Sequence, residues 1–311
     1  MADSSSGRVA GAKRHSALVG FLIRLVKEKP LGTVGAVITL ILLLTGLFAD
    51  FLAPYGMNQI HTGPVMMGPS PGHWLGTDVS GRDILTRIIY GARISVIVGL
   101  AGASVATVIQ VIIGMMCGYI GGIFDMLVQR FVDGFMSFPS LILLMVFMSI
   151  IGPGVWPVVI VLGVDQGIVC SRIIRGTTMS IRQNVYVQAA VAIGCSNTRI
   201  LIRHVLPNIM ATVIVMFSIL VPFIILAEAS LSFLGFGVPP PTPSWGGMLT
   251  GSGRAYMFMN PWIVIWPGLA LSIVVYGINI FGDAVRDILD PRLRGGVGRY
   301  GVRVKKAATK K

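Results

Sequence analysis

Charge is what this sequence has least of. Only 12% of its 311 residues are Asp, Glu, Lys or Arg, against roughly 25% in soluble domains, and this scarcity excludes an ordinary water-soluble globule. Acidic groups are the rarer kind, 12 against 25 basic ones, for a net charge of +13. That excess does not point to nucleic acid. The basic residues lie between and beyond long apolar runs, where they set membrane topology rather than form a phosphate-binding stripe. Cysteine is nearly absent: Cys117, Cys170 and Cys195 have neither zinc-ligand nor disulfide-framework spacing. The four histidines, His15, His61, His73 and His204, are scattered and make no metal site. No P-loop, zinc motif or nucleophile–base set occurs. The chain is therefore expected to bind no cofactor and not to be an enzyme. If ATP and Mg power it, they sit on other subunits.

What is there is apolar: 54% of residues are hydrophobic and mean hydropathy is +0.81. The apolar stretches are continuous rather than alternating, which excludes a β-barrel and fits helices crossing a hydrocarbon core of about 30 Å, each needing about 20 residues. The reading is an all-α membrane protein with six transmembrane helices, at 31–53, 92–119, 131–151, 155–174, 209–232 and 261–283. The first run is too long for a signal-peptide core and lacks a small-x-small cleavage site, so it reads as a retained anchor. Residues 1–30 form a polar tail plus an amphipathic segment at 21–29, ending at Pro30. Residues 54–90, rich in Gly, Pro, His and Asp, form an outer loop too polar to cross. Residues 91–283 form a core of five spans with a polar loop at 175–208 and an outer loop at 233–260. Residues 284–311 are a basic tail. Gly99, Gly102, Ala103, Ala106 and Gly114 on the second span permit close backbone approach in lipid. No internal repeat is present.

Counting Lys and Arg orients the chain. With both termini inside, the inner segments hold six in 1–30, Arg130, five in 172–208 and nine in 284–311, against only Arg82, Arg87, Arg93 and Arg254 outside. Such a bias places the N- and C-termini, and the 175–208 loop, in the cytoplasm.

That loop is the most informative stretch. Val187, Ala190 and Val191 recur at helical spacing, Gly194 permits a left-handed stop, and Ser196 or Asn197 is suited to cap a second helix. The second helix carries Arg199, Arg203 and His204 and is expected to end near Leu206, before Pro207. The loop thus reads as two short helices joined by a glycine elbow, with Ala189, Ala190 and Ala192 offering a smooth surface. From pattern alone, an ordinary amphipathic hairpin fits as well.

The segment with Ala189, Ala190 and Gly194, followed by His204, Leu206, Pro207 and Asn208, resembles the coupling loop of permease subunits of bacterial ABC importers. Other blocks resemble the C-type permease of the dipeptide/oligopeptide/nickel importers: Leu75-Gly-Thr-Asp78, Gly81-Arg-Asp83, Tyr90-Gly-Ala-Arg93, Arg172-x-x-Arg-Gly176, Glu228 to Gly237, Pro243-Ser-Trp-Gly246 and Gly282 to Arg292. Together they cover about 20–295. Two positions depart from the pattern: Gln188 stands where an acidic residue is usual, and Val164-Asp-Gln-Gly167 where an aromatic one is. The resemblance implies a type I ABC importer permease fold in a bacterial or archaeal cytoplasmic (inner) membrane. It implies a second homologous permease, two cytoplasmic ABC ATPase subunits and an extracytoplasmic solute-binding protein as partners. It also implies that Gln188, Ala189, Ala190, Gly194, Arg199, Arg203, His204, Leu206 and Pro207 form the surface that couples to an ATPase. The cargo it implies is a di- or oligopeptide, with nickel chelates or another small solute as alternatives. An autonomous secondary transporter or channel would need broken helices in a repeat, or a filter, and neither is evident. An intramembrane enzyme would need a catalytic set that is missing.

Two intramembrane carboxylates are candidates for lining a pathway or an interface. Glu228, near the outer end of the fifth span, either meets a peptide's amino terminus or serves as a structural partner. Asp165, in the fourth span, faces a subunit interface or wet pathway, or lies cheaply near the inner boundary. Asp133 reads as interfacial. Asp78, Arg82 and Asp83 form a loop-stabilising ion-pair network or contact a binding protein. Trp245, Trp262 and Trp266 read as interfacial anchors.

Overall fold

Proline and capping residues set where the helices begin. The computed structural model describes residues 17–289, so the expectations for residues 1–16 and for the tail from 290 onward, Pro291 and Arg292 included, lie outside the described residues. Helix α1 (Ala17–Glu28) hands over to α2 (Pro30–Leu47) through Pro30, which occupies the first helical turn, where a missing N–H costs nothing. The first expected span is thus α2 plus a one-turn helix, α3 (Ala49–Leu52), after a break at Phe48. Asp83 accepts from the Thr86 amide at 2.8 Å and starts α4 (Ile84–Ile120). This helix begins inside the expected 54–90 loop, and its 37 residues span about 55 Å, well beyond the hydrocarbon core.

The expected third span is not one straight helix. It is α5 (Gly122–Met136) and α6 (Ser140–Ile151), bent by 91°. Pro139 cannot donate to the preceding turn and forces Phe138 out of helical geometry, so the helix must restart. Then follow α7 (Val155–Arg182), α8 (Val185–Ala192), α9 (Asn197–Ile200), a π-helical turn at Leu201–Val205, and α10 (Leu206–Phe233). The loop's second helix does not end before Pro207. The wide π turn loosens the crowding that a proline ring imposes on the carbonyl four residues back, and the helix runs on through α10. The short α11 (Trp245–Leu249) and α12 (Ser252–Tyr256) precede α13 (Trp262–Leu289). Among the described residues, five helices or helical runs are long and apolar enough to cross a membrane, six if the bent α5–α6 pair counts as one span. No β-strand occurs among the described residues.

Small residues decide which helices touch. A Cβ on Gly114 would stand 2.6 Å from the Ser171 carbonyl oxygen, and one on Gly118 2.7 Å from that of Arg175; from the other side, Gly167 would meet Ile109 at 2.7 Å and Gly163 would meet Val105 at 2.7 Å. The paired numbers rise together, so α4 and α7 run parallel, backbone against backbone. α2 and α13 meet in the opposite sense, Gly32 on Ala284 and Gly277 on Ile38. Lipid supplies no hydrophobic drive between helices, so this close packing is what holds them. Val98, Ala103, Ala106, Val158, Leu162 and Ile224 form the shared core of α4, α7 and α10. Leu31, Leu40 and Ile41 on α2 and Ile142 and Ile150 on α6 stay exposed, as suits helices solvated by acyl chains.

Candidate functional site

At the end of α7 opposite Val155, the chain turns through Gln183 and Asn184. The Asn184 carbonyl accepts from the Val187 and Gln188 amides at 3.0 and 3.2 Å, which starts α8. α8 ends in a Schellman arrangement: the Cys195 amide reaches the Ala190 carbonyl at 3.1 Å, and the Gly194 amide that of Val191 at 2.9 Å. Gly194 sits at φ +81°, and nothing lies within 4 Å of where its Cβ would be. Its backbone conformation, not crowding, calls for glycine. The Ser196 hydroxyl accepts from the Arg199 amide at 3.4 Å and starts α9.

One face of this elbow is anchored. Val187 and Ala190 are buried with Tyr119, Ile174, Ile200, Val205 and Ile209, and the Tyr119 hydroxyl donates to Asn197 Oδ1 at 3.1 Å. The elbow is therefore packed against the ends of α4, α7 and α10. Ala190 is thus an anchor rather than part of the outer surface the sequence suggested. The opposite face is open. Val185 is 82% and Ile193 80% exposed, with Val191 also exposed beside Gln188, Ala189 and Ala192. Gln188, in place of the usual acid, reaches only the Gln183 carbonyl, at 3.3 Å. Arg199, Arg203 and Pro207 are exposed, while His204 and Leu206 are half-buried. Asn208 Nδ2 donates to the His204 carbonyl at 2.6 Å. A cavity of about 660 Å³ opens beside the elbow, lined by Tyr119, Asp125, Met179, Arg182, Gln188 and Val191 among others.

Sequence reading missed two ion pairs that tie α5 to this end of α7. Arg175 grips Asp125 with two 2.6 Å hydrogen bonds, and Arg172 pairs with Asp133. Asp133, read as interfacial, is exposed and tethered to Arg172. An (i, i+3) Arg-x-x-Arg on a helix, together with a preceding Asp-rich amphipathic stretch, was the available signal.

The two intramembrane carboxylates are buried within the chain. Asp165, 3% exposed, accepts from Gln166 Nε2 at 2.6 Å and from Ser140 Oγ at 3.4 Å. Glu228, 1% exposed, accepts from Ser232 Oγ at 2.6 Å. That hydroxyl in turn accepts the Val238 amide at 3.1 Å, and Ser244 also hydrogen-bonds to Glu228. Glu228 thus latches the 234–244 turn to α10. Trp245 is buried rather than interfacial: its Nε1 donates to the Ile88 carbonyl at 3.1 Å, and its ring lies against Gly91. Trp262 and Trp266 stack on each other, with centroids 5.5 Å apart.

At the far end of the bundle, the 54–83 loop is ordered by its own polar groups. Asp78 accepts from the Ser80 and Arg82 amides at 2.8 and 3.0 Å and from Arg82 Nε at 2.7 Å. His73, stacked on Tyr55, bridges Asp83 Oδ1 at 3.0 Å and the Thr62 carbonyl at 3.1 Å. Asp50 holds Arg93 Nη2 at 2.7 Å and the Tyr90 hydroxyl at 2.9 Å.

Residues 110–295 match the family model described as "Binding-protein-dependent transport system inner membrane component". The chain is 37% identical over 269 residues to the dipeptide transport system permease protein DppC of Alkalihalophilus pseudofirmus, covering 86% of this chain and 88% of that one. It is 34% identical over 273 residues to the glutathione transport system permease protein GsiD of Escherichia coli, covering 88% and 90%. Identity to the oligopeptide transport system permease protein OppC of Haemophilus influenzae is 38% over 237 residues, covering 76% and 75%. Among solved structures, a chain of the MetNI methionine ABC transporter in inward-facing conformations matches with a TM-score of 0.53 at 18% identity, over 66% of this chain and 96% of that chain. This likeness concerns the fold alone.

Proposed function

The chain belongs to the binding-protein-dependent transport system inner membrane component family, the permease subunits of bacterial ABC importers, and from that membership we propose that it forms half of a peptide translocation pathway and couples it to a cytoplasmic ATPase through α8 and the Gly194 elbow. The observation that carries the proposal is the two-sided character of α8. One face is locked into the ends of three membrane helices, while Val185, Val191 and Ile193 stay exposed around the rest of the elbow. Apolar side chains left open outside the apolar spans fit a partner surface.

The topology supports this reading. α4 and α7 run parallel, so the chain must recross the membrane between them, and only the bent α5–α6 pair is available. Six crossings would put the start of α2 and the end of α13 on one side. The Lys/Arg bias assigns that side to the cytoplasm, where α8 meets an ATPase. The chain has no P-loop, so ATP acts on the partner subunits. Their closure is to draw α8 inward and tilt α4, α7 and α10. ATP must then bind the outward- and inward-open states with different affinity. A second, homologous permease is to supply the other half of the pathway, and a solute-binding protein the cargo. The relatives named for dipeptide, oligopeptide and glutathione transport favour a small peptide as that cargo.

The test is a photo-crosslinking residue at Ile193, with one at Met259, exposed at the other end of the bundle, as control. The tagged complex is purified in mild detergent and its proteins identified by mass spectrometry. An ATPase cross-linked from Ile193 but not from Met259, with a second permease present, is expected. Recovery of the chain alone would move the reading to an autonomous carrier.

A further inference from the structure

At the outer end of the bundle, two arginines share one carboxylate. Asp78, Arg82, Ile84, Arg87, Thr250 and Gly251 are among the residues lining a cavity of about 150 Å³ between the 54–83 loop, the start of α4 and the α11 turn. Asp78 is the one acid in that lining, against two arginines. Its Oδ1 is taken by the Ser80 and Arg82 amides and its Oδ2 by Arg82 Nε. Arg87 is left over. Its side chain is 9% exposed, its Nε stands 3.8 Å from Asp78 Oδ2, and its Nη1 reaches the Pro241 carbonyl only at 3.5 Å. Among the described residues, Nε and Nη2 have no hydrogen-bond acceptor. Neither is among the buried side-chain atoms cut off from solvent, so both face the open cavity, where a further anion would complete the guanidinium's hydrogen bonds. Two guanidinium groups facing one space favour a carboxylate, which accepts from both in a planar fork.

Size selects the source of that carboxylate. Pockets that enclose a small molecule run from about 300 Å³ upward, so this one is too small for a whole peptide and fits one acidic side chain. The floor, Asp78, Arg87 and Ile84, is buried, whereas Pro240 and Gly251 on the rim are exposed, so the mouth opens at the surface. Only four of the 25 basic residues fall on the side read as external, and two of them line this cavity. A third, Arg93, is satisfied by Asp50.

We propose that the Arg82–Arg87 cavity is a carboxylate-binding site that receives an acidic side chain of the extracytoplasmic solute-binding protein. The proposal rests on the importer reading and on its orientation. It is tested with the whole importer in lipid nanodiscs, by following ATP hydrolysis as its co-purified binding protein is titrated. In Arg87→Gln the half-saturating binding-protein concentration is expected to rise about tenfold or more, the effect falling there rather than on the maximal rate. Arg82→Gln should move in the same direction, and Arg87→Lys, a point charge without the fork, less far than Arg87→Gln. Acetate, set against chloride at equal ionic strength, should compete in the wild type and not in Arg87→Gln. An assembled Arg87→Gln complex with wild-type half-saturation overturns the proposal. If that variant does not assemble, wild-type half-saturation in Arg82→Gln overturns it instead. A defect that disappears when the peptide's C-terminal carboxylate is amidated assigns the site to the cargo and also overturns it. Wild-type complex that no binding protein stimulates overturns the importer reading, and this proposal with it.

Discussion

Gly194, Glu228 and Asp50 show three ways in which one residue governs this chain. At Gly194, φ of +81° in open space makes backbone strain, about 1–2 kcal/mol for an ordinary L-residue, the main consequence of substitution. Gly194→Asn should keep most uptake, since Asn tolerates the left-handed region. Gly194→Val should lose at least an order of magnitude at equal membrane abundance, measured as peptide uptake per immunoblotted protein. Equal uptake in both variants would remove the elbow from the coupling argument. At Glu228, the Ser232 hydrogen bond survives replacement by Gln and is lost with Ala. Glu228→Gln should therefore assemble nearly as wild type, whereas Glu228→Ala should lower the melting temperature of the purified subunit and slow every cargo alike. A defect confined to one cargo class would return Glu228 to the pathway. At Asp50 one carboxylate holds Arg93 Nη2 and the Tyr90 hydroxyl and ties α3 to α4. Asp50→Ala should lower the melting temperature of the purified subunit, and Asp50→Asn should lower it less, since an amide oxygen still accepts from Tyr90. Equal melting temperatures in wild type and both variants would show that the contact adds nothing to stability.

At the scale of elements, legibility followed the kind of signal each one carries. Long apolar runs announced α2, α4, α7, α10 and α13, because bilayer thickness demands them. The elbow was readable because a glycine followed by Ser196 marks a helix stop and a new cap in adjacent letters. The break at Pro139 was visible as a proline and was passed over because the apolar run continued across it. The π turn at Leu201–Val205 has no sequence signature of its own; it exists because Pro207 must be accommodated in a helix that packing keeps continuous. Burial was the least legible property. Ala189 and Ala190 are adjacent letters, yet one is exposed and the other anchored in the elbow's core. Asp165 and Glu228 read as lipid-buried charges seeking a pathway, but their partners, Ser140, Gln166, Ser232 and Ser244, are ordinary polar letters until the fold places them. The α4–α7 contact is the element most sensitive to size. Gly114→Leu would drive a side chain into the Ser171 carbonyl and Ile174, and overpacking of this kind costs about 1–3 kcal/mol or more. The variant should fail to reach wild-type membrane abundance, while Gly176→Ala, where nothing lies within 4 Å, should reach it.

For the whole molecule, the parallel run of α4 and α7 constrains topology more tightly than hydropathy does. α6 alone, at 12 residues, extends about 18 Å, short of the hydrocarbon core, and a 91° bend is as compatible with a re-entrant loop as with a crossing. A re-entrant loop, however, would bring α7 back from the side where α4 ends and set the two helices antiparallel, against the Gly114–Ser171 and Gly118–Arg175 contacts. On the proposed six-crossing topology, Pro153, exposed between α6 and α7, lies on the outer side with Trp74, and Ile193 on the inner side. Cysteines placed singly at these three positions, in a chain whose own Cys117, Cys170 and Cys195 are replaced by alanine, should separate cleanly. A membrane-impermeant maleimide added to intact cells should label Pro153→Cys and Trp74→Cys, and should label Ile193→Cys only after the membrane is opened. Labelling of Pro153→Cys that also waits for opening would make α5–α6 re-entrant, leave five crossings, and put the two termini on opposite sides, so that the charge bias would no longer orient the chain as one consistent whole.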